Sequence, residues 1–475
     1  MNDQRALYNS PALAMATASL CSILLGFIGY YMVSNSIGRD TRTRTGFIIA
    51  STTVRNSEYL AGIFLGNAIF LSVVIFGFML SCMAMQLIRG EGSLNVFSFF
   101  WHYSILLPPM VFFVSGVAVL FESIRWLSGR FGDLVYFFVW MFTLAVVAIS
   151  SEKMGGVNIT SYIDTFSFAF MLDQVKAITH SDSLSIGSSS YDQKLPPFVF
   201  GGLKVPLVWL LPRITSTIYP VVFVFAALFF FSRFNPVKVK ASHGGFRRNL
   251  LSRLNSLIRP LTVPLFALSA RFSARPGLVN AILNDALLTL QSYPLTVILF
   301  FGFLAATLIS SRTGFQSQVL PALFVVLAMS LAGLAVRERR QGTMAMIQSV
   351  PFLKPNFIWW KLGTAMFIVL IFITAPLIRL AMFDLSAALS FLIGSVFVAT
   401  CAVGLGIASS NPKTFMVLFL LFLYVVLNDN GHTPGFDFAG WYGVATPFVQ
   451  VIYMALSAGM TALAWLSFRY QNEKF

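Results

Sequence analysis

The stretch GRDTRTRTG at residues 38–46, with STTVRNSEY at residues 51–59, separates two long apolar segments near the start of the chain. A second polar stretch separates two later apolar segments and reads RERRQGT at residues 337–343 and SVPFLKPNF at residues 349–357. Each stretch places an arginine beside an acid, passes through a glycine and ends in an aromatic residue that opens the next apolar segment. We name residues 38–59 the first elbow and residues 337–357 the second elbow. Their similarity predicts a membrane protein built from two related halves.

The composition is that of a membrane protein. The chain has 475 residues, of which 57% are hydrophobic and only 10% are charged, and its mean hydropathy is +0.80. A soluble domain carries roughly 25% charged residues, so most of this exterior is expected to face lipid. The three cysteines, Cys21, Cys82 and Cys401, lie in apolar segments without paired spacing. We therefore predict neither a disulfide framework nor a thiolate metal site.

Hydropathy predicts an all-α polytopic membrane protein with about 11 transmembrane helices. The predicted spans are residues 11–36, 59–86, 97–121, 134–150, 211–232, 293–310, 318–336, 358–378, 385–408, 414–428 and 447–468.

These spans divide into two parallel pseudo-repeats, with five spans in residues 1–232 and six in residues 291–475. Residues 233–290 are predicted to be a basic cytoplasmic linker with an amphipathic helix at the inner membrane interface. Residues 151–210 are predicted to form an outer segment of the first half. Aligning the two elbows leaves the first half without an opening helix, which indicates either a missing upstream helix or a true five-plus-six protein.

The distribution of basic residues orients the chain. The net charge is +15, and alternating loops place 23 of the 32 Lys and Arg on the side of the elbows and nine on the other side. This bias follows the positive-inside rule, so we predict that both elbows are cytoplasmic. The excess charge is then explained by topology, and anionic membrane lipid rather than nucleic acid is the expected partner.

Sequence signatures of catalysis are absent. There is no phosphate-binding loop of the Gly-x-x-x-x-Gly-Lys-Ser/Thr type, and the four histidines are scattered over four separate segments. We therefore predict no catalytic residue, no metal site and no cofactor in this chain. The predicted span centres contain no charged residue, which disfavours an ion-coupled carrier. The acids nearest to spans fall at or beyond the predicted ends: Glu58, Glu122, Asp133, Asp285 and Asp384.

The elbows resemble those of type-2 ATP-binding-cassette (ABC-2 type) exporter permeases. In that family Glu-Arg, Gly-Thr, a short apolar helix, a proline and a basic residue recur between the second and third spans. The second elbow matches this pattern at Arg337, Glu338, Arg339, Arg340, Gly342, Pro351 and Lys354. The first elbow matches more loosely at Arg39, Asp40, Gly46 and Arg55, with Thr53 at the position of the proline. The first half also resembles the permease part of bacterial permease/zinc-aminopeptidase fusion proteins, including residues 59–62 and 163–166.

The resemblance implies a function. Each elbow would be a coupling helix that docks on a separate ABC ATPase subunit, with two copies expected, and ATP and Mg would bind to that partner. The apolar side chains of Phe47, Ile48 and Ile49, or of Met344, Met346 and Ile347, would fill the ATPase groove. The chain would not itself be an enzyme, and would export a hydrophobic or amphipathic substrate across a bacterial cytoplasmic (inner) membrane.

The sequence also allows other interpretations. The elbows could be ordinary positive-inside loops, and the chain could be an ATP-independent carrier. It could also be a membrane-embedded enzyme of lipid or glycan assembly, for which Asp164, Asp173 and Asp182 of the outer segment are the candidate acids.

Overall fold

The chain folds into two compact helical units, Met1–Gly244 and Gly245–Phe475. The computed structural model describes residues 6–124, 126–153, 156–179, 197–231, 234, 277–292, 294–350 and 352–472. Helices account for most of these residues, and an isolated bridge between Ala6 and Phe198 is the extended pairing found among them. The prediction of an all-α fold is therefore confirmed for the described part of the chain.

The first unit contains ten helices among its described residues. They are α1 (Ser10–Val33), α2 (Ser36–Arg42), α3 (Thr45–Ser51), α4 (Asn56–Arg89), α5 (Val96–Leu106), α6 (Pro108–Ser123), α7 (Arg130–Lys153), α8 (Phe168–Thr179), α9 (Leu207–Ile218) and α10 (Val221–Phe230).

The second unit contains nine α-helices of four or more residues among its described residues. They are α11 (Leu278–Ser292), α12 (Pro294–Ile309), α13 (Leu320–Leu331), α14 (Arg337–Arg340), α15 (Met344–Gln348), α16 (Leu353–Phe383), α17 (Leu385–Ser409), α18 (Pro412–Asp429) and α19 (Pro447–Asn472). A short turn and a π-helix, Arg312–Gly314 and Phe315–Val319, lead into α13.

Eight helical segments of the described chain are long and apolar enough to cross a membrane, and a bent pair brings the number to nine. The bent pair is α5 and α6, which meet at 42°. Pro108 and Pro109 open α6 and cannot continue the hydrogen bonding of α5. The predicted spans 134–150 and 293–310 correspond to α7 and α12, whose apolar described parts are Phe131–Val147 and Ile298–Ile309. The chain therefore has the architecture of a multi-pass membrane protein, with eight or nine apolar helices able to span a membrane among the described residues, and the number eleven stays a prediction.

Contacts within the first unit place alternate loops at opposite ends. At one end, the Ser10 hydroxyl accepts a hydrogen bond from the Asn95 amide (2.8 Å), and the Leu7 amide donates to the Phe198 carbonyl (2.8 Å). At the other end, the Tyr31 hydroxyl donates to the Asp133 carbonyl (2.8 Å). This arrangement agrees with the predicted alternation of the loops in this half.

The second unit shows the same alternation. The Arg379 guanidinium, near the end of α16, donates to the Ser310 carbonyl (2.6 Å) after α12. At the opposite end, Lys361 near the start of α16 contacts Asp285 of α11. Helices α11 and α12 therefore run alongside α16 in the same direction.

Two predicted segments are described in part. Within residues 151–210, a short 3-10 helix (Ile159–Ile163) and α8 pack against the spans, whereas the serine-rich residues 181–191 lie outside the described residues. Within the predicted linker 233–290, the leucine-rich residues 250–258 of the expected amphipathic helix also lie outside them. The end of that linker belongs to α11, which packs against α16, so the second helical unit begins earlier than residue 291.

Candidate functional site

The two elbows contain the same succession of helices. Residues of the first elbow align with residues of the second elbow that lie 298 positions later in the chain. Each elbow consists of two short helices, α2 and α3 or α14 and α15, followed by the longest helix of its unit. Arg39 and Asp40 align with Arg337 and Glu338 at this separation. Aromatic residues at the start of α4 and α16, Tyr59 and Phe357, align in the same way.

Backbone conformation repeats with the same separation. Asn35 (φ 93°) precedes the first elbow, and Gly333 (φ 80°) occupies the equivalent position before the second. Arg44 (φ 62°) joins α2 to α3, and Gly342 (φ 73°) joins α14 to α15. Positive φ is strained for residues with a side chain. Asn35 and Arg44 nevertheless adopt it where the second elbow has glycine, so both elbows require the same turns of the backbone.

The carboxylate of Glu122, at the end of α6, anchors the first elbow. It accepts hydrogen bonds from the backbone amides of Ser36 (2.9 Å), Ile37 (2.6 Å) and Gly38 (3.2 Å), and also from the amide of Asn35. These are the unpaired donors of the first turn of α2, where a negative charge is favourable. Sequence reasoning placed Glu122 at a span end but did not assign it this role.

Two further contacts fix the first elbow. Gly46 is buried against the Phe234 ring, and a Cβ atom at this position would lie 2.5 Å from the ring. The Tyr59 hydroxyl donates to Asp40 Oδ2 (2.8 Å), and Asp40 also lies 3.7 Å from the Arg39 guanidinium. The Tyr59 ring stacks on Phe231 after α10 (5.4 Å), so the first elbow is packed beside the end of α10.

A cluster of four charged side chains anchors the second elbow, and three of them are buried: Lys361, Asp285 and Glu338. Lys361 of α16 donates to Asp285 Oδ2 of α11 (2.9 Å) and to Glu338 Oε1 of α14 (2.6 Å). Arg337 of α14 pairs with Asp285 Oδ1 and lies 3.3 Å from Glu338 Oε1. Lys361 and Asp285 are buried at 0% and 1% exposure, and the cluster contains two cations and two anions. Burial is compatible with charge here because each charge has an opposite partner.

Neutral groups complete the cluster. The Arg337 guanidinium donates to the Thr289 hydroxyl (3.2 Å), and the Thr364 hydroxyl lies 3.3 Å from Asp285 Oδ2. The Lys361 ammonium lies over the Trp360 ring, 4.2 Å from its centroid. In the sequence, Lys361 falls at the start of the predicted span 358–378 and Asp285 before the predicted span 293–310, so nothing local brings the two charges together. The signal that sequence reasoning could have used is that both charges lie inside apolar helices, where an unpaired charge would be costly.

The predicted site residues fall into two groups. Arg39, Arg55, Arg340, Gly342 and Lys354 are exposed, and Asp40 is half-buried. Arg337 and Glu338 instead face the charge cluster, Gly46 faces Phe234, and Arg339 donates to the Ser410 hydroxyl. Pro351 lies outside the described residues. Arg337 and Glu338, which the sequence assigned to the docking elbow, therefore turn inward and neutralise Lys361 and Asp285.

Apolar side chains are exposed at equivalent positions of the two elbows. Ile48 is 67% exposed, and Met346, 298 residues later, is 73% exposed. Val54 and Phe352 are a second equivalent pair, at 38% and 45% exposure. Of the other apolar residues predicted for docking, Phe47 is exposed, whereas Ile49, Met344 and Ile347 are half-buried. Each elbow thus presents an apolar patch beside an exposed basic residue, Arg55 or Lys354.

The acids considered for an enzyme of lipid or glycan assembly have structural partners. Asp164 is fully buried, accepts hydrogen bonds from the amides of Phe168 (2.9 Å) and Phe170 (3.1 Å), and pairs with Arg213 (3.8 Å). Burial raises the pKa of the Asp164 carboxyl, while Arg213 and the amide donors oppose that rise. Asp173 accepts from the Trp209 indole (2.7 Å). Asp182 lies outside the described residues.

An apolar groove of about 500 Å³ opens within the second unit. Helices α11, α16, α17 and α19 line it, with Trp359, Gly363, Val396 and Ala458 among the lining residues. Three hydroxyl groups also line it, and each donates to a carbonyl of its own helix, which leaves its lone pairs free to accept: Thr400, Ser457 and Thr461. Its volume lies within the range of small-molecule sites, about 300–1,000 Å³.

The fold and the elbows define the class of this chain, a multi-pass helical membrane protein. Comparison with known proteins adds no narrower assignment, since no family model, curated protein or solved structure matches the chain.

Proposed function

We propose that the chain is the transmembrane permease subunit of an ATP-driven ABC transporter, and that two separate ATPase subunits dock on its two elbows. The observation that carries this proposal is the equivalence of the exposed apolar pairs, Ile48 with Met346 and Val54 with Phe352. An isolated exposed apolar residue is ordinary on a protein surface. Two matching patches on two similarly built elbows favour two copies of one partner, which would bind ATP and Mg.

The anchoring of both elbows supports a role in transmitting force. Glu122 fastens the first elbow to α6, and the charge cluster fastens the second elbow to α11 and α16. A partner that moves an elbow would therefore move spanning helices. We propose on this basis that the units are parallel pseudo-repeats with cytoplasmic elbows, in the bacterial cytoplasmic (inner) membrane. Coupling would then arise from different contacts in two states of the transporter.

Aspartate at the exposed apolar positions is expected to weaken docking strongly. Ile48→Asp and Met346→Asp each place a charge at the centre of a patch that a partner would desolvate, so each should weaken ATPase association at least tenfold, the effect of losing a hot spot worth about 2 kcal/mol. The measurement is co-purification with candidate ABC ATPase subunits encoded beside this gene, followed by ATPase assays. Charge reversal at Arg55 or Lys354 should weaken association less and mainly at low salt.

The matched control for this experiment is Ile159→Asp. Ile159 is also a strongly exposed apolar residue (87%), but it belongs to the outer segment of the first unit. Association that survives at Ile159→Asp and fails at both elbow variants supports the proposal. Failure of the unmodified chain to bind any of these ATPases, or equal binding by all variants, would contradict the proposal.

We propose that the transported substrate is hydrophobic or amphipathic, because the groove of the second unit has apolar walls and hydroxyl groups that accept hydrogen bonds. Ala458→Phe fills this groove and should weaken binding of a brominated long-chain amphiphile about tenfold, as expected when bulk replaces a ligand in an apolar pocket. Binding is read from quenching of Trp359 fluorescence, taken as the difference from Trp359→Phe. Ala381→Phe, at an exposed site of α16 away from the lining, is the control. Equal quenching in both alanine variants would exclude this groove.

The buried charge cluster favours a second candidate function, an ATP-independent carrier. Buried carboxylates such as Asp285 and Glu338 are the groups that ion-coupled carriers use, and the sequence had suggested that such groups were absent from the spans. Each carboxylate here already has a cationic partner, Lys361 or Arg337, which favours a fastening role over ion binding. Transport that persists in ATP-free proteoliposomes and depends on an ion gradient would establish the carrier instead.

A further inference from the structure

The charge cluster divides into two pairs that are each neutral. Arg337 and Glu338 lie on α14, and their charged atoms are 3.3 Å apart. Lys361 and Asp285 lie on α16 and α11, and their charged atoms are 2.9 Å apart. If α14 moves away, each side keeps one cation and one anion in contact. When α14 separates from α11 and α16, no buried charge therefore loses its counter-ion. An unpaired buried charge is the main cost of breaking a buried ion pair.

The two carboxylates of the cluster differ in how many of their oxygens have hydrogen-bond partners. Both oxygens of Asp285 have partners, Arg337 at Oδ1 and Lys361 at Oδ2. In Glu338, Oε1 accepts from Lys361, whereas Oε2 is buried without a hydrogen-bond partner. Glu338 therefore contacts the spanning helices through one oxygen, whereas Asp285 binds its partners through both. When the Glu338–Lys361 contact opens, Lys361 keeps Asp285 as its partner.

The backbone on either side of α14 allows such a movement. Before the helix, Val336 is buried and packs near Gly406, where a Cβ atom would lie 3.4 Å from the Val336 side chain. Val336 itself (φ −112°, ψ −8°) is the residue through which the chain passes from a turn into α14. After the helix, Gly342 (φ 73°) is exposed, and a Cβ atom there would meet nothing within 4 Å. The segment between these points has only four helical residues, too few for a stable isolated helix.

We propose that residues 337–342 form a latch that swings as one unit between a closed state, with Glu338 bound to Lys361, and an open state. In the open state Lys361 keeps Asp285, and Arg337 leaves with Glu338. The pivots are the Val336–Arg337 junction and Gly342. This device belongs to the chain itself and can be tested without an ATPase, so its outcome is independent of the proposed docking.

Glu338→Gln tests the latch, because it turns the ion pair with Lys361 into a weaker hydrogen bond to a neutral amide and leaves the Lys361–Asp285 pair intact. In hydrogen–deuterium exchange of the full chain in nanodiscs, amides of residues 337–343 should exchange several-fold faster, because a hydrogen bond between two charged groups is stronger than one to a neutral acceptor. Amides of residues 362–383 should keep their exchange rates. The control is Asp40→Asn, the equivalent acid of the first elbow, because asparagine can still accept from Tyr59.

Two outcomes would overturn the latch. One is unchanged exchange in residues 337–343, which means that Glu338 does not hold the segment closed. The other is faster exchange spread equally along α16, which means that the cluster supports the helix packing as a whole. If Glu338→Gln fails to fold, Lys361→Met combined with Asp285→Asn provides the same test, because it removes the neutral pair on the spanning side and should also release only residues 337–343.

Discussion

Replacing Gly404 by leucine is expected to break the packing of α17 against α19. A Cβ atom at Gly404 would lie 2.7 Å from the backbone oxygen of Met460. Backbone cannot move aside as a flexible side chain can, so the two helices would have to separate. Overpacking of a core costs about 1–3 kcal/mol and occasionally more. We expect about 3 kcal/mol here, which lowers the apparent Tm of a unit of this size by roughly 6–12 °C.

The control is Gly459→Leu, one residue from Met460 on α19. A Cβ atom at Gly459 would meet nothing within 4 Å. Leucine favours a helix over glycine by about 0.8–1 kcal/mol, so the control should keep or raise the unfolding temperature, measured in the same detergent. Because the propensity gain is the same at both sites, a loss confined to Gly404→Leu isolates the contact. Equal stability of the two variants would contradict the close approach.

Much of the fold could be predicted from the sequence, because lipid requires long apolar helices. Nearly all of the predicted spans correspond to apolar helices, and the two elbows fall between the predicted segments. Bends were less predictable, since apolar runs of similar hydropathy form either one continuous helix, such as α4, or a bent pair, such as α5 and α6. Hydropathy alone does not separate these outcomes when proline interrupts the run, as at Pro108.

The sequence indicates where the two elbows lie but not the contacts that hold them to the spanning helices. Of the residues in the repeated elbow pattern, Arg39, Arg55, Arg340 and Lys354 lie on exposed surface, while their role in docking stays a prediction. The pattern could not show that Glu338 turns inward, because that depends on Lys361, which lies 23 residues away in the chain. Contacts between distant segments, such as Glu122 with α2 across 85 residues, leave no local pattern in a single sequence. Only the position of a charge within an apolar helix indicates that a partner is needed.

Replacing Asp285 by asparagine is expected to be strongly destabilising, and a second mutation should partly reverse the loss. Asp285→Asn leaves Lys361 and Arg337 with Glu338 alone, so one buried cation has no counter-ion, at a cost of about 3–5 kcal/mol. Adding Lys361→Met restores one cation and one anion, the Arg337–Glu338 pair. The double variant should therefore be more stable than Asp285→Asn, which no sum of independent losses allows.

The measurement is thermal unfolding of the single and double variants, with Asp384→Asn as the control. Asp384 is an exposed acid that caps α17 through the Ser386 amide (2.8 Å), and asparagine caps a helix equally well. The control should therefore unfold near the temperature of the unmodified protein. If the losses from Asp285→Asn and Lys361→Met simply add, the two side chains do not form a pair. Recovery in the double variant would instead show that charge balance, more than the shape of any one side chain, holds the second elbow against α11 and α16.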